Sequence, residues 1–419
     1  MSTTKIEWTA TQRPDGTWEP GQTWNPVSGC TRASAGCDNC YAVRLTRRCA
    51  AMGQQEKYGG LVNDGRQHFN GTVRCHAGDL AIPLRRRKAT VWFVNSMSDL
   101  FHKDVPFAFI DQVLAVVAMC PQHRFLVLTK RAARMEEYFA AGEVELKARW
   151  AAAACGPDLK GDLGVAFDIG AAAWPLLNLG LLVSVEDQPS TNERIPPLLR
   201  TPAAMRGVSA EPLIGPVDFT HVAVSDVASV LGNDWDRLSL NREKFRGLQG
   251  HLDVLRGYAW PQGTPENGWL GAGPGLDWVI VGGESGVTAA DLRPMHSLWA
   301  LAIRDQCKQA LVAYFFKQWG FWWPIHQLRD GVYESLYVLR RPSKLKEMDE
   351  DRCRDLYGER CTVPQVTINY DGSRVDYAKG IGINGSGLSM LCFGVGKKAS
   401  GRLLDGREHN DRPADFFAP

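Results

Sequence analysis

Three cysteines lie close together near the start of the chain, in the stretch Cys30-Thr31-Arg32-Ala33-Ser34-Ala35-Gly36-Cys37-Asp38-Asn39-Cys40-Tyr41. The last two have the C-x-x-C spacing that is typical of metal ligands. No histidine or fourth cysteine is near enough in sequence to complete a local set of four, and structural zinc sites normally have four protein ligands. Three thiolates can instead hold a [4Fe–4S] cluster with one iron left open to a small molecule, because thiolates are the usual ligands of such clusters. We therefore interpret Cys30, Cys37 and Cys40 as cluster ligands, and the alternative is a zinc site that a distant residue completes.

Length, composition and net charge limit the kinds of protein that this chain can be. The chain has 419 residues, of which 44% are hydrophobic, and a formal net charge of +2. This length allows two or three domains, or one α/β barrel with insertions. Because the chain is nearly neutral, any contact with nucleic acid must come from local basic patches. The sequence has no signal-peptide pattern and no run of eighteen apolar residues, so we expect a cytoplasmic protein with reduced thiols and no membrane partner.

Apolar runs rich in β-forming residues alternate with helical patterns over much of the chain. We predict six strands, at residues 23–27, 90–94, 125–128, 181–185, 205–209 and 278–281, and consider a seventh at 312–316. Strands that alternate with helices indicate parallel βα units, so the expected fold class is α/β. We assign residues 1–324 to a barrel-like domain with insertions at about 140–178 and 221–275. Residues 325–419 have few strand or helix signals and are assigned to a C-terminal extension.

The predicted strands end in clusters of polar residues. In a parallel barrel the carboxyl ends of the strands all face one way, and that face holds the active site. The recurrence of the pattern is better evidence for a site than any one cluster. The candidate site residues are Asn95, Ser96, Ser98, Asp99, Lys130, Ser184, Glu186, Ser209, Glu211, Glu284, Lys317 and Trp319.

Several longer motifs are more distinctive than single residues. They are Trp24-Asn25-Pro26-Val27-Ser28-Gly29-Cys30, Gly36-Cys37-Asp38-Asn39-Cys40-Tyr41-Ala42, Val279-Ile280-Val281-Gly282-Gly283-Glu284-Ser285-Gly286, Arg293-Pro294-Met295-His296, Phe316-Lys317-Gln318-Trp319-Gly320 and Asp405-Gly406-Arg407. In this order they resemble the phage Gp37/Gp68-type protein family, which is similar to radical S-adenosylmethionine (SAM) enzymes. The resemblance implies a partial (β/α)6, TIM-like barrel whose first loop holds a [4Fe–4S] cluster with SAM on its open iron. It also implies one-electron cleavage of SAM to a 5′-deoxyadenosyl radical.

The cysteine motif departs from the usual radical SAM pattern in two respects. The usual signature is C-x3-C-x2-C, whereas Cys30, Cys37 and Cys40 form C-x6-C-x2-C. An aromatic residue usually precedes the third cysteine, but here Asn39 precedes it and Tyr41 follows it. Longer first spacings occur in some radical SAM branches.

The resemblance assigns SAM contacts to the polar strand ends. Residues after the second strand lie where radical SAM barrels bind the amino group of SAM, and those after the third and fourth strands suit its carboxylate and ribose. In strand order, the expected contacts are Asn95, Ser96, Ser98 and Asp99, then Lys130, then Ser184 and Glu186, and then Ser209 and Glu211. The alternatives are turns that cap helices, salt bridges between loops and, before Pro212, a purely conformational role.

The last two strand ends are expected to contact the substrate. Glu284 follows Gly282 and Gly283, and glycines let a backbone approach a ligand closely. Lys317 could hold a phosphate, and Trp319 could stack on a base. The alternatives are a tight turn at Glu284 and a core position for Trp319.

Phage radical SAM enzymes include isomerases of thymidine hypermodification, so the resemblance implies DNA with an amino-acid-decorated thymine as the substrate. It also implies a reductant such as flavodoxin or ferredoxin and, for a phage-encoded protein, the host cytoplasm. The basic residues 85–88 are candidate phosphate contacts. Cys353, Cys361 and Cys392 are a weaker candidate for a second metal site, because they lack a C-x-x-C pair. Two other functions stay open: a zinc-stabilised nucleic-acid-binding protein without catalysis, and a radical SAM enzyme that acts on RNA or protein.

Overall fold

The computed structural model describes residues 4, 6–13, 15–63, 65, 68–230, 246–263, 273–286, 291–329, 331–339, 358–375 and 388–417. Its main body is a curled sheet of seven strands, a half-barrel, in which every neighbouring pair is parallel. The strands follow one another across the sheet in chain order: β1 Gln22–Trp24, β2 Val91–Val94, β3 Arg124–Thr129, β4 Leu179–Val185, β5 Met205–Ala210, β6 Trp278–Gly282 and β7 Ala313–Gln318. The predicted α/β class and all seven strands are therefore confirmed.

The strands are apolar on both faces because both faces of the sheet are covered. Phe93, Leu126 and Leu182 point into the concave side, where a compact group of buried side chains fills the half-barrel. Neighbouring residues such as Val94 and Val127 point to the convex side and pack beneath the helices. Parallel strands buried in this way have nearly continuous apolar sequences, which explains why they are visible in the sequence.

Helices cover the convex side of the sheet, except the first, which packs in a separate cluster with Tyr58, Leu61 and Met97. The longer ones are α1 Tyr41–Ala51, α2 Phe107–Ala118, α3 Ala132–Phe139, α4 Gly142–Ala154, α5 Leu163–Ala171, α6 Gln188–Arg200 and α7 Ser297–Ala310. Single helical turns lie at Gln55–Tyr58, Val332–Ser335, Lys397–Ser400 and Ala414–Phe417. The predicted insertion at residues 140–178 consists mainly of α4 and α5. No helix in the described ranges is both long enough and apolar enough to cross a membrane.

The N-terminal turn Glu7–Thr9 packs against both β2 and β7, near the two sides of the half-barrel. Trp8 is 2% exposed, and its ring lies 4.7 Å from that of Phe93 and 6.0 Å from that of Trp278. This indole therefore helps to fill the concave side of the sheet. The sequence alone did not predict this role, because the turn is only three residues long.

Outside the main sheet, the chain forms short antiparallel strands. A three-stranded sheet, Val222–Val224, Gly250–Asp253 and Tyr258–Pro261, lies in the predicted insertion at 221–275, of which residues 231–245 and 264–272 are outside the described part. Strand pairs join Thr11–Gln12 with Trp18–Glu19, Val27–Ser28 with Arg74–Cys75, and Tyr337–Leu339 with Glu359–Cys361.

The C-terminal part contains more regular structure than its sequence suggests. A four-stranded antiparallel sheet has the order Trp322–Pro324, Ser389–Gly394, Gln365–Asn369 and Arg374–Val375. The chain then returns to the half-barrel, where Asn410 bridges to Phe315 and Phe416 joins the concave core. These strands were missed because they are short and pair over long sequence separations, so they lack the apolar runs of the main sheet.

Candidate metal centre at the carboxyl ends of the strands

The three thiols belong to one loop that connects the end of β1 to α1. Residues 29–40 form this loop, and we call it the cysteine loop. A short turn at Ala35–Cys37 lies within it, and Cys40 is the N-cap of α1. Gly29 has φ +84°, and an added Cβ would lie 2.0 Å from the carbonyl oxygen of Thr72, so only glycine fits there. The predicted position of the cysteines between a strand and a helix is confirmed.

A cavity of about 420 Å³ opens at the carboxyl ends of the parallel strands. Every predicted site residue except Glu186 and Trp319 lines it, so the topology brings these distant residues together as expected. The lining includes Cys30, Cys37, Cys40, Asn95, Ser96, Ser98, Asp99, Lys130, Ser184, Ser209, Glu211, Glu284 and Lys317. Their roles as cofactor or substrate contacts stay predictions.

Asp99, after β2, anchors the start of the cysteine loop through an arginine. The Arg131 guanidinium donates to Asp99 Oδ2 at 2.8 Å, to the Thr31 carbonyl oxygen at 3.0 Å and to Cys30 Sγ at 3.7 Å. Thr129 Oγ1 donates to the other carboxylate oxygen of Asp99 at 2.7 Å. Asp99 therefore holds Arg131 against the loop, and both of its oxygens have donors.

Glu186, after β4, anchors the middle of the loop. It is 1% exposed and pairs with Lys130 and, at 3.0 Å, with Arg194. Ser34 Oγ donates to its Oε1 at 2.7 Å. Burial opposes ionisation of this carboxyl, but the charges of Lys130 and Arg194 outweigh it and hold the pKa of Glu186 below its ordinary value. Glu186 thus lies behind the cavity wall as a buried ionised group.

Glu284, after β6, anchors the end of the loop. Arg293 Nη2 donates to its Oε1 at 2.5 Å and also to the carbonyl oxygen of Ala35 at 2.9 Å. Asn39 Nδ2 donates to Oε2 at 3.0 Å. Three buried carboxylates, which we call the anchor carboxylates (Asp99, Glu186 and Glu284), therefore hold the cysteine loop against the ends of β2, β4 and β6.

The residues that link the anchor carboxylates to the loop were not among the site residues predicted from the sequence. Arg131 had a weak signal because it stands beside a polar strand end, and Arg293 begins one of the motifs recognised in the sequence. Ser34 and Asn39 lie in the cysteine stretch, but their partners could not be predicted because these lie 152 and 245 positions further along the chain.

Other residues after β2 and β5 contact neighbouring strand ends. Val27 N donates to Asn95 Oδ1 at 3.3 Å, and Ser98 Oγ donates to the Val27 carbonyl oxygen at 2.8 Å. Lys317 pairs with Glu211 Oε2 at 2.5 Å. The other oxygen of Glu211, Oε1, is buried and has no hydrogen-bond partner among the described residues.

Trp319 lies in the core rather than at the cavity. It is 1% exposed, its indole N–H donates to the Leu403 carbonyl oxygen at 2.8 Å, and its ring packs on Phe316. An added Cβ on Gly283 would lie 2.0 Å from the carbonyl oxygen of Trp319. The close approach that this glycine permits is therefore to the backbone of Trp319.

Comparison with known families gives a match over nearly the whole chain. The family model described as "Protein of unknown function (DUF5131)" matches residues 3–413. The chain belongs to this family. No curated protein and no solved structure matches it. The match to the DUF5131 family covers the half-barrel, the cysteine loop and nearly all of the C-terminal part.

Two other predicted features of this DUF5131 protein lie away from the cavity. Residues 85–88 precede β2 and so stand at the amino end of the sheet, opposite the cavity, where Lys88 pairs with Glu19 at 2.5 Å. Of the three C-terminal cysteines, Cys353 is outside the described residues, Cys361 is half-buried and Cys392 is fully buried.

The electrostatics of the cysteine loop favour neutral thiols while no metal is bound. Burial raises the pKa of Cys30 to about 12, the charge of Asp99 adds to this rise, and the charge of Arg131 opposes it. Burial also raises the pKa of Cys40. Because metals bind thiolates, loading this site must release protons.

Among the described residues, the side chains do not form a closed zinc site. Zinc–sulfur bonds of about 2.3 Å in a tetrahedron would place the ligand sulfurs about 3.8 Å apart. Within the described ranges, no three His, Cys, Asp or Glu side chains are grouped closely enough to hold a metal ion. His102, the histidine bonded to the loop, uses Nε2 with Thr31 Oγ1 at 2.8 Å and accepts at Nδ1 from Asp104 N at 3.2 Å. The ligands of a [4Fe–4S] cluster bind separate irons, and thiolates such as the three of this loop are the ligands that such a cluster uses.

Proposed function

We propose that this protein is a radical SAM enzyme in which Cys30, Cys37 and Cys40 hold a [4Fe–4S] cluster. One observation carries the proposal: three thiols of a single loop share a cavity with the polar carboxyl ends of the parallel strands. That face is where parallel barrels have their active sites. When bound, the cluster and SAM together supply one-electron cleavage of the sulfonium and an adenosyl radical that abstracts hydrogen.

The residues of the chain have distinct tasks in this proposal. Arg131 supplies a fixed positive charge beside the thiolate of Cys30, and a hydrogen bond to a ligand sulfur stabilises its negative charge. Trp8, Phe93 and Leu128 give the cavity an apolar wall that excludes water from a reactive intermediate.

The polar wall of the cavity is where SAM and the substrate would bind. We propose SAM contacts from Asn95, Ser96, Ser98 and Ser184, while Asp99 and Glu186 act on the loop instead of on SAM. Glu211 suits an ammonium or amide donor, because its buried Oε1 has no partner in the described part of the chain. A cavity of about 420 Å³ lies within the usual range for ligand sites.

For the substrate we propose a nucleobase in DNA, and an isomerase that acts on an amino-acid-decorated thymine is the sharpest version. A base in duplex DNA must be extruded to reach a cavity at this depth. The electron would come from a small reductant such as flavodoxin or ferredoxin. The resemblance of the motifs to phage radical SAM proteins supports this choice.

The decisive experiment is anaerobic purification followed by iron, sulfide and zinc analysis. We expect about four irons per chain in the wild type, as a [4Fe–4S] cluster requires, and loss of iron in the triple variant Cys30→Ala/Cys37→Ala/Cys40→Ala. The matched control, Cys49→Ala/Cys75→Ala/Cys155→Ala, changes three cysteines outside the cysteine loop and should keep its iron. One zinc per chain without iron would overturn the proposal in favour of a zinc-stabilised nucleic-acid-binding protein.

Substrate choice needs a second experiment with the iron-loaded protein. Reduction in the presence of SAM should release 5′-deoxyadenosine, and release should accelerate with DNA that carries an amino-acid-decorated thymine. Acceleration by RNA or by a peptide, but not by this DNA, would retain the radical chemistry and reject the DNA substrate.

A further inference from the structure

A stripe of exposed residues runs along α1 away from the mouth of the cavity. Tyr41, Arg44 and Arg48 are three and four residues apart, so they lie on one face of the helix. Tyr41 is 44% exposed, and both arginines are exposed. Tyr41 and Arg44 also line the cavity, so the stripe begins at the candidate site and leads out to the surface.

Among the residues that the structure describes, no interaction explains the two arginines. Across the described residues, neither Arg44 nor Arg48 has an ion-pair partner. Arg44 stands in the first turn of α1, which carries no acidic side chain. A cation there is unfavourable, because the N-terminal end of the helix dipole is itself positive. Arg44 therefore increases the positive potential at the cavity mouth without stabilising the helix.

We propose that this face of α1 binds a strand of DNA and guides one base into the cavity, an inference that rests on the proposed function. The Tyr41 hydroxyl donates to the Ser96 carbonyl oxygen at 2.5 Å, which fixes the ring at the mouth. A fixed aromatic ring can stack on a base of any sequence. Arg44 and Arg48 are about 6 Å apart along the helix axis, and guanidinium groups pair well with phosphates. An acidic peptide would use the arginines but would have no need of the aromatic ring.

The test is DNA binding by fluorescence anisotropy, with a labelled 20-nucleotide thymidine-rich single strand and the anaerobically purified protein. The variant Arg44→Gln/Arg48→Gln should bind at least tenfold more weakly at low salt. Loss of two phosphate contacts should also reduce the slope of log K against log salt by about 1.4. The matched control is Arg85→Gln/Arg87→Gln, which removes two exposed arginines at the opposite end of the sheet and should bind within twofold of wild type. Equal weakening of the two variants, or none in either, would overturn the inference.

The aromatic part of the stripe has its own test. Tyr41→Phe keeps the ring and should bind the same strand within a few-fold of wild type, whereas Tyr41→Leu should bind about tenfold more weakly because stacking is lost. Thermal unfolding of both variants checks that the fold is intact. Identical affinities for the two variants would rule out stacking by Tyr41.

Iron analysis of the same preparations separates this inference from the proposed function. Wild type that contains a cluster and cleaves SAM but does not bind DNA would reject the inference and leave the radical SAM proposal in place. Zinc in place of iron, with DNA binding that depends on Arg44 and Arg48, would reject the radical SAM proposal and retain the inference about α1. An RNA of the same sequence and an acidic peptide serve as competitors, and stronger binding of either would reject DNA as the partner.

Discussion

The guanidinium of Arg131 donates a hydrogen bond to the sulfur of Cys30 over 3.7 Å. The same guanidinium is held in place by Asp99, so a carboxylate at the end of β2 orients a cation against a candidate metal ligand. Outer groups that orient metal ligands commonly affect metal affinity nearly as much as the ligands do. Asp99, predicted from its strand position as a SAM contact, can thus act on Cys30 through Arg131.

Removing this cation should weaken metal binding. Arg131→Met takes away the hydrogen bond to Cys30 and leaves the Asp99 carboxylate unpaired beside the thiolates. We expect a 10- to 100-fold loss of metal affinity, the usual range for such outer groups. The measurement is iron retention against a series of chelator concentrations after anaerobic reconstitution.

The control for this prediction lies on α3, the helix that directly follows Arg131. Arg134 donates to the carbonyl oxygen of Val105 at 2.8 Å and stacks over Phe107, away from the cysteine loop. Arg134→Met should retain iron as wild type does. Equal retention by Arg131→Met and wild type would show that the contact with Cys30 is incidental.

Loss of the negative charge at Glu284 should lower the stability of the metal-free protein. Glu284→Gln leaves Arg293 with a neutral partner, and the Glu284 side chain is only 3% exposed. Breaking a buried ion pair typically costs about 3–5 kcal/mol, and we expect about 3 kcal/mol because Arg293 remains partly exposed. Urea unfolding of the metal-free protein measures this change. Glu137→Gln, at a 64% exposed side chain, is the control and should change stability by about 0.5 kcal/mol or less.

The sequence predicted the half-barrel well because its strands are apolar on both faces. Parallel strands also place their carboxyl ends at one edge, so residues as distant as Asn95 and Lys317 could be expected to share a cavity. The alternation of apolar runs and helical patterns can be read from short segments of sequence, and it indicates parallel strands. Topology alone therefore accounts for these residues lining one cavity, while their roles stay predictions.

The direction and partner of each side chain could not be predicted in the same way. Glu186 stands two residues beyond Ser184, yet Ser184 lines the cavity and Glu186 lies behind its wall. The difference arises from Lys130 and Arg194, which belong to separate elements. Long-range pairing of this kind leaves no periodic signal in the sequence.

Basic patches show the same limitation. Residues 85–88 are conspicuous as a run, but the chain places them at the amino end of β2. Arg44 and Arg48 are not adjacent in the sequence. They form a basic patch only because residues four apart lie on the same face of a helix.

The buried charge of Glu186 should make stability depend on pH in the acid range. The pKa of Glu186 is lower in the folded protein than its ordinary value, because Lys130 and Arg194 outweigh the effect of burial. Such a carboxyl stabilises the fold above the pKa of the unfolded chain, about 4.3, and this contribution is lost as the pH falls through the folded-state pKa.

Comparison with Glu186→Gln tests the sign of this effect. The variant should be less stable than wild type at pH 7, and the difference should shrink steadily below about pH 4 as the wild-type carboxyl becomes protonated. Urea unfolding at a series of pH values measures it. A difference that stays constant down to pH 3 would mean that packing, rather than charge, makes Glu186 important.

Gly36 should not tolerate even one added carbon, because the side chain of Glu186 lies directly against it. An added Cβ would lie 2.5 Å from both Cγ and Oε1 of Glu186, which its two cationic partners hold in place. We expect Gly36→Ala to destabilise the fold by about 1–3 kcal/mol, the range for overpacking of a buried site. At Gly78 an added Cβ meets nothing within 4 Å, so Gly78→Ala should be close to neutral. If the contact with Glu186 is the cause, Gly36→Ala should cost far less in a Glu186→Ala background, because the two sites are coupled. An undiminished cost in that background would place the strain elsewhere in the cysteine loop.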